Sequence, residues 1–265
     1  MRPTLRRLVA LSERYKLIDT PCPAPLITTP KTHCECQFPA DSPINHDKPL
    51  YGTKAAMWKH AFVHSTVSAP HWKSKVEMMP TELISSLSGF KRSDTDPSYP
   101  VGLSNIQLDR PEGVSEKYNV VVFPENKYYA VTEETSQKFM REVLNPNGPP
   151  VSLPSVPNTS RVILICGHVQ RDIRCGLIAP MLREEFEFNL AKRGLLYSKD
   201  NTEGVRVGIV SHIGGHAYAG NVLYYDEEGL TVWYGRCENR HVDGIVEQTI
   251  VKKNIIKELF RGQYN

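Results

Sequence analysis

The segment RVILICGHVQRDIRCGLIAPMLREEFEFNLAKR (161–193) decides the fold of the C-terminal half of the chain. Its first six residues, 161–166, form a continuous apolar run of strand length, which is typical of a buried β-strand. Residues 175–193 follow with a helical pattern. Their apolar residues recur at intervals of four, at Ile178, Leu182, Phe186 and Leu190. Pro180 is expected in the first turn, where a helix tolerates proline.

Four further patterns complete the C-terminal half. Residues 205–211 predict a second buried strand, and residues 221–226 and 230–234 predict a β-hairpin. Residues 245–260 predict an amphipathic helix that closes the chain. The resulting order, β-α-β-β-β-α, is that of a thioredoxin-like core whose middle helix is replaced by a loop. The predicted class is therefore α/β, with this core at residues 161–265.

The part of the chain before residue 161 is harder to interpret. Residues 1–16 are basic with a single acid, a composition typical of a mitochondrial targeting segment, although an ordinary basic terminus has the same composition. Residues 17–49 show no period, predict irregular structure and contain Cys22, Cys34 and Cys36. Those cysteines are expected to be flexible unpaired thiols, with a second metal site as the alternative.

A smaller α+β domain is predicted over residues 50–144, with a hairpin at 119–132 and a helix at 133–144. Residues 145–160 contain five prolines, which exclude a helix or a central strand and predict a semi-rigid linker between two domains. No sequence repeat relating the two domains is strong enough to claim.

Composition excludes several classes of function. The net charge of +3 is too small to indicate nucleic acid or an anionic membrane as the main partner. No apolar run is long enough to span a membrane. Six cysteines in 265 residues are too few for a disulfide scaffold. No glycine-rich dinucleotide motif follows a strand, so the sequence predicts neither a flavin nor a nicotinamide site.

Four residues with metal-binding side chains fall at the ends of the predicted strands. Cys166 ends the first strand, Cys175 lies near the start of the following helix, and His212 and His216 follow the second strand. The carboxyl ends of parallel strands meet at one edge of a sheet. If the two strands are parallel neighbours, all four side chains lie at that edge and predict a metal site.

The spacing alone leaves several chemistries open. Zinc is one, although zinc fingers place paired cysteines two to four residues apart, whereas eight residues separate Cys166 from Cys175. A two-iron cluster is equally open, because Rieske centres divide two cysteines and two histidines between their irons. A redox dithiol is a third reading, with the Cys175 thiolate stabilised by the helix N-terminus, Arg171 and Arg174. In a fourth, the histidines are ordinary polar residues.

Three blocks of the sequence resemble signature blocks of the sucrase/ferredoxin-like family. They are CGHVQRDIRCG (166–176), HIGGHAYAGNV (212–222) and WYGR (233–236). Weaker similarity extends upstream through residues 34–36, 46–51 and 58–60. The length and the basic N-terminus resemble the shorter fungal branch of the family, the altered inheritance of mitochondria proteins.

The resemblance implies a thioredoxin-like ferredoxin domain that binds one [2Fe–2S] cluster through Cys166, Cys175, His212 and His216. It implies one-electron transfer or redox sensing in mitochondria, with a protein electron donor and a protein acceptor, and no catalytic residues are expected. Two alternatives stay open. One is a thiol–disulfide oxidoreductase using Cys166 and Cys175, and the other is a structural zinc-binding module for protein interaction.

Overall fold

The computed structural model describes residues 14–33 and 36–264. Within them, twelve β-strands and four α-helices follow one another along the chain, so the predicted mixed α/β class is confirmed. The strands are β1 (Lys16–Ile18), β2 (Lys59–His64), β3 (Val101–Gln107), β4 (Tyr118–Phe123), β5 (Lys127–Ala130), β6 (Ser155–Pro157), β7 (Arg161–Cys166), β8 (Val205–Val210), β9 (Val222–Tyr225), β10 (Thr231–Tyr234), β11 (Asn254–Ile256) and β12 (Phe260–Tyr264). The α-helices are α1 (Leu83–Asp94), α2 (Ser136–Glu142), α3 (Ile173–Lys192) and α4 (Asn239–Ile245).

Ten of these strands form one sheet, in the order β12-β10-β9-β7-β8-β3-β2-β4-β5-β6. The pairs β2–β3 and β7–β8 are parallel, and every other neighbouring pair in this sheet is antiparallel. β1 and β11 form a separate parallel pair. β7 is buried from Val162 to Cys166, which explains its unbroken apolar sequence, because a strand covered on both faces has no polar side.

The two halves of the sheet have the same topology. The order β2-α1-β3-β4-β5-α2-β6 in the N-terminal half matches β7-α3-β8-β9-β10-α4-β12 in the C-terminal half. The halves meet where Ile106 of β3 pairs with Val210 of β8. Ile106 is also the partner of His64 in β2, and Val210 is the partner of Cys166 in β7. The halves are therefore related by a pseudo-two-fold axis through the Ile106–Val210 pair.

The shared register also shows a faint sequence repeat. The cross-strand pair Val120–Tyr129 of β4 and β5 corresponds to the pair Val222–Tyr234 of β9 and β10. An asparagine precedes the first residue of each pair, as Asn119 and Asn221. The signal is short and broken by hairpin loops of different length, so the sequence alone does not establish the duplication.

Each face of the sheet buries its own apolar cluster. On one face the strands pack against all four α-helices, whose core residues include Leu87, Phe139, Leu182 and Val242. The opposite face is rich in aromatic side chains. There the rings of Phe123 and Tyr225, which occupy equivalent positions in the two halves, stack with centroids 4.0 Å apart. The aromatic face is therefore closed by contact between the two halves.

The segment before β2 packs mainly along the C-terminal half. The Asn45 N–H donates to the Ala217 carbonyl at 2.8 Å, and the Arg174 guanidinium donates to the Pro43 carbonyl at 2.8 Å. Apart from β1 and short turns, the described part of residues 17–49 is irregular, as predicted. Residues 1–13 of the predicted targeting segment, and Cys34, lie outside the described residues. Among the described residues, no helix is both long enough and apolar enough to cross a membrane.

Most of the predicted elements of the C-terminal half are confirmed. β7 has the predicted bounds, β8 ends one residue earlier, and the hairpin is formed by β9 and β10. α3 starts two residues early because the Asp172 carboxylate accepts the Arg174 N–H at 3.0 Å and caps the helix. Pro180 accordingly lies at the eighth residue of α3, beyond the first turn where it was expected.

The predicted helix at residues 245–260 is correct only as far as residue 251 and is wrong beyond it. α4 begins earlier, at Asn239, continues as a π-helical turn over Val246–Val251, and is followed by β11 and β12. Lys253 has a left-handed backbone, with φ of 57°, which ends the helical path. Strand pairing then takes up the apolar residues in the last part of the predicted range. Ile255 lies beside Leu17 of β1, and Phe260 lies beside Tyr234 of β10.

The hairpin of the N-terminal half is confirmed as β4 and β5, and the predicted helix at 133–144 is the shorter α2. The proline-rich segment 145–160 contains β6, which lies at the edge of the sheet, where proline is tolerated. The strands before and after this segment belong to the same sheet. The placement of a domain boundary there stays a prediction.

The junction between the halves can be tested through Ile106, whose side chain has no exposed surface. Replacing Ile106 with Ala removes buried apolar groups, so the free energy of unfolding should fall by about 2–5 kcal/mol. Val251→Ala is the control, since Val251 is half exposed and should change stability by less than about 0.5 kcal/mol. Urea denaturation followed by circular dichroism measures both, and similar losses in the two variants would contradict a buried junction.

Candidate metal centre

The carboxyl ends of β7 and β8 bring the predicted ligand segments together. These strands are parallel neighbours, as the site prediction required, and Cys166 at the end of β7 pairs with Val210 at the end of β8. His212 follows β8 by two residues, and Cys175 is the third residue of α3. The six residues between β7 and α3 are short enough to keep Cys175 close to Cys166.

Cys166 and Cys175 are free thiols in direct contact. Both are buried, with 1% and 0% of their surface exposed. The Cys175 thiol donates to the Cys166 sulfur, and this hydrogen bond, with a further one from His212, lowers the pKa of Cys166 well below its usual value. The same contact and burial raise the pKa of Cys175. The pair therefore favours a thiolate at Cys166 and a thiol at Cys175.

The two histidines lie next to this thiol pair. The His212 imidazole contacts the Cys166 sulfur, while its Nδ1 atom is buried without a hydrogen-bond partner. The His216 ring centroid lies 5.4 Å from that of His212. His212 is half-buried and His216 is exposed. The donors thus extend from the buried thiols to the protein surface.

The residues present fit a soft metal or an iron–sulfur cluster. Thiolate and imidazole are the ligands that such metals prefer, and a buried imidazole nitrogen without a partner is costly unless something binds it. In the described part of the chain, no group of three or more His, Cys, Asp or Glu side chains is placed to hold a single metal ion. A two-iron cluster would divide the four donors into two pairs, one for each iron.

A buried arginine supports the loop that carries the histidines. Arg261 of β12 has 1% of its surface exposed, and its Nη1 atom donates to the Gly214 carbonyl at 3.2 Å and to Asn221 Oδ1 at 2.6 Å. Asn221 Nδ2 in turn donates to the Gly215 carbonyl at 3.0 Å. The Thr53 carbonyl accepts from Arg261 Nη2 at 2.6 Å. Sequence analysis missed Arg261, because a single arginine near the C-terminus gives no signal of burial.

The charge of Arg261 also acts on the thiols. Burial lowers the pKa of Arg261 to about 10, so the guanidinium is still charged at neutral pH. Its interaction with Cys166 and Cys175 works in the opposite direction and favours the charged guanidinium. Arg174, which the sequence placed beside the centre, is held by the Asp172 carboxylate at 2.8 Å, and its charge still acts to lower the pKa of Cys175. Arg171 is exposed.

Comparison with known proteins identifies the family. A family model for sucrase/ferredoxin-like proteins matches residues 50–262. The chain belongs to the sucrase/ferredoxin-like family. The matched region includes the four predicted ligands and Arg261, and it confirms the resemblance seen in the sequence.

Several curated relatives share most of the chain. Altered inheritance of mitochondria protein 32 of Debaryomyces hansenii is 38% identical over 262 residues, covering 87% of this chain and 92% of that protein. The protein of the same name from Clavispora lusitaniae is 36% identical and covers 94% and 97%. Actin patches distal protein 1 of Saccharomyces cerevisiae is 40% identical over 94 residues, or 34% of this chain and 29% of that protein. No solved structure matches the chain.

Three other cysteines, Cys22, Cys36 and Cys237, are free thiols outside the contact between Cys166 and Cys175. Cys237 is fully buried, and burial raises its pKa well above the usual value. Cys22 and Cys36 are half-buried free thiols, and burial raises the pKa of Cys22 to about 12. These thiols are therefore protonated at neutral pH, and Cys34 lies outside the described residues.

Two neighbouring glycines test how tightly the histidine loop is held. Both have left-handed backbones, with φ of 87° at Gly214 and 77° at Gly215. An added methyl group would meet nothing within 4 Å at Gly214, but at Gly215 it would lie 2.3 Å from Arg261 Nη2. Gly214→Ala should cost about 1–2 kcal/mol of stability from its backbone alone. Gly215→Ala should cost more, because the buried Arg261 has to move.

Urea denaturation of the two variants measures this difference directly. Gly214→Ala is the matched control, since it has the same backbone strain without the clash. Gly215→Ala should also increase the rate at which Cys166 reacts with an alkylating reagent, because the loop above it is displaced. Equal losses of stability in the two variants would show that Arg261 does not support the loop.

Proposed function

We propose that this protein binds one [2Fe–2S] cluster and acts in one-electron transfer or redox sensing. Cys166 and Cys175 would hold one iron, and His212 and His216 would hold the other. The observation that carries the proposal is the buried contact between the two thiols, with a partnerless imidazole nitrogen of His212 beside it. Membership of the sucrase/ferredoxin-like family supports it.

When bound, the cluster accepts and releases one electron, and the surrounding residues adjust how readily this occurs. Burial of Cys166 and Cys175 excludes water from the sulfurs. Two neutral imidazoles replace two of the four thiolates of a plant-type centre, which removes two negative charges and makes addition of an electron easier. The positive charge of Arg261 acts in the same direction.

The exposed position of His216 suggests where electrons enter and leave. Because His212 and His216 extend from the thiols to the surface, the histidine side of the centre is the side nearest to a partner. We propose a protein donor and a protein acceptor. Nothing in the charge balance favours nucleic acid.

We also propose that the protein works in mitochondria. The curated relatives that share most of the chain are named altered inheritance of mitochondria proteins. The basic composition of residues 1–16 is typical of a targeting segment. Imaging of the tagged protein together with protease protection of isolated mitochondria would test this and would distinguish matrix from intermembrane space.

A second candidate function is thiol–disulfide exchange through Cys166 and Cys175. The hydrogen bond between the two thiols and the lowered pKa of Cys166 favour it, since the thiolate is the reactive form. The two candidates differ in colour, because a dithiol protein without a cluster does not absorb visible light. A structural zinc module is also colourless and would be identified by metal analysis.

Anaerobic purification with iron and sulfide quantification tests the proposal, together with electron paramagnetic resonance of the reduced protein. We expect two irons and two sulfides per chain and a signal from a reduced two-iron centre. A colourless protein without iron, prepared without oxygen, would contradict the proposal. Zinc in its place would support the structural module.

Ligand variants test the assignment of residues. Cys166→Ser should lose the cluster or bind it much more weakly, because a hydroxyl oxygen is a poor substitute for a thiolate. His212→Cys should keep a cluster with a lower reduction potential, because it adds a negative charge. Cys237→Ala is the control and should keep the iron content and the potential. A full iron content in Cys166→Ser would show that Cys166 is not a ligand.

A further inference from the structure

His168 lies between the two segments that carry the proposed ligands. It follows β7 by two residues, and only 1% of its surface is exposed. Its Nδ1 atom lies 3.2 Å from the His212 peptide nitrogen, and its Nε2 atom lies 2.9 Å from the Lys73 carbonyl oxygen. A carbonyl oxygen only accepts, so the network assigns the ring proton to Nε2 and leaves Nδ1 to accept the His212 N–H.

The backbone of His168 contacts the two cysteine segments. Its N–H donates to the Cys166 sulfur. Its carbonyl accepts the N–H groups of Arg171 at 3.1 Å and of Asp172 at 3.0 Å. Asp172 is the N-cap of α3, the helix that carries Cys175. One residue is therefore bonded to the segments of three of the four proposed ligands.

The third contact of His168 comes from the N-terminal half. Lys73 belongs to the connection 65–82 between β2 and α1, which is much longer than the equivalent connection 167–172 between β7 and α3. Trp72 in this connection is fully buried, and its ring meets the His168 ring edge to face at 5.8 Å. Trp72 Nε1 donates to Ser65 Oγ and to the Val67 carbonyl, both at 2.9 Å. These bonds fix the position of Lys73.

We propose that His168 is a positioning residue for the metal centre, and that it connects the centre to the N-terminal half through Lys73. It holds the His212 peptide against the end of β7, so that the histidine loop and the thiol pair keep one geometry. The proposal rests on the proposed function, because it takes His212 and Cys166 as ligands. The N-terminal half supplies none of the four proposed ligands, and through Lys73 it would help to hold the same centre.

Three substitutions separate the two ring contacts. The amide of His168→Asn places an acceptor near the Nδ1 position and should keep the bond to His212 while losing Lys73. The amide of His168→Gln places a donor near the Nε2 position and should keep Lys73 while losing His212. His168→Leu loses both. His71→Leu is the matched control, because His71 is an exposed histidine in the same connection as Lys73.

The first measurement uses the protein with its cluster. Loss of a group that orients a metal ligand commonly weakens metal binding by about 10–100-fold. We therefore expect faster cluster loss by about that factor in His168→Leu and His168→Gln, with a shifted reduction potential and an altered resonance spectrum. His168→Asn should lie closer to the unaltered protein, and His71→Leu should match it. Unchanged cluster loss, potential and spectrum in both His168→Leu and His168→Gln would overturn the proposal.

The second measurement uses the protein without metal and follows hydrogen exchange at the His212 amide. Losing one hydrogen bond of ordinary strength should speed this exchange by about tenfold in His168→Gln and His168→Leu. Exchange at Val207, inside β8, should stay the same. If the unaltered protein binds no iron, the proposed function fails. The exchange rate at the His212 amide still tests whether His168 holds the His212 peptide. If iron binds but His212 exchange and cluster loss are the same in every variant, only the role of His168 fails.

Discussion

The antiparallel pairing of β3 with β8 is the constraint on which the rest of the structure depends. It is short, with Ile106 opposite Val210 and Gln107 opposite Ile209, and it is extended by the Ser211 N–H, which donates to the Asn105 carbonyl at 2.8 Å. Because the two strands are antiparallel and pair near their carboxyl ends, the chain that follows each strand begins beside the other strand, with Ser211 next to Asn105 and Leu108 next to Gly208. Two half-sheets with separate edges thereby become one sheet with its most buried strands near the centre.

The pseudo-two-fold relation shows that the halves differ at the last residue of the strands β7 and β2. Where the C-terminal half has Cys166 at the end of β7, the N-terminal half has His64 at the end of β2. Under the same two-fold relation Ile106 is equivalent to Val210. Leu108, two residues after Ile106, is therefore equivalent to His212, two residues after Val210. Burial lowers the pKa of His64 to about 3, so its imidazole is neutral. The N-terminal half therefore repeats the strand arrangement of the candidate metal centre but not its thiol pair.

Much of the C-terminal half could be predicted, because its signals are local. The unbroken apolar run of β7 and the four-residue spacing of α3 need no knowledge of distant contacts. The closing helix was predicted wrongly since Ile255 and Phe260 are apolar in either a helix or a strand, and only β1 and β10 decide between them. Strand partners far away in sequence leave no local pattern.

The four ligands could be proposed from the sequence for a similar reason. Two cysteines and two histidines fall together near the ends of two predicted strands, and this combination of side chains predicts a metal site without coordinates. The supporting residues lack such a signal. His168 stood within a quoted motif, yet its partner Lys73 is almost a hundred residues away and contributes a backbone carbonyl, which no side-chain pattern encodes. Arg261 depends in the same way on Asn221 and on the backbone of Thr53 and Gly214.

Arg261 also gives an electrostatic reason for placing thiolates at this edge. A buried guanidinium costs several kcal/mol of solvation unless it is compensated. Among the described residues, no Asp or Glu forms an ion pair with it, and its hydrogen bonds go to neutral acceptors. The thiols of Cys166 and Cys175 are among the groups whose negative charge stabilises the guanidinium. Since interaction energies are mutual, the cation stabilises negative charge at the sulfurs, and therefore favours either a thiolate or a centre that becomes more negative on reduction.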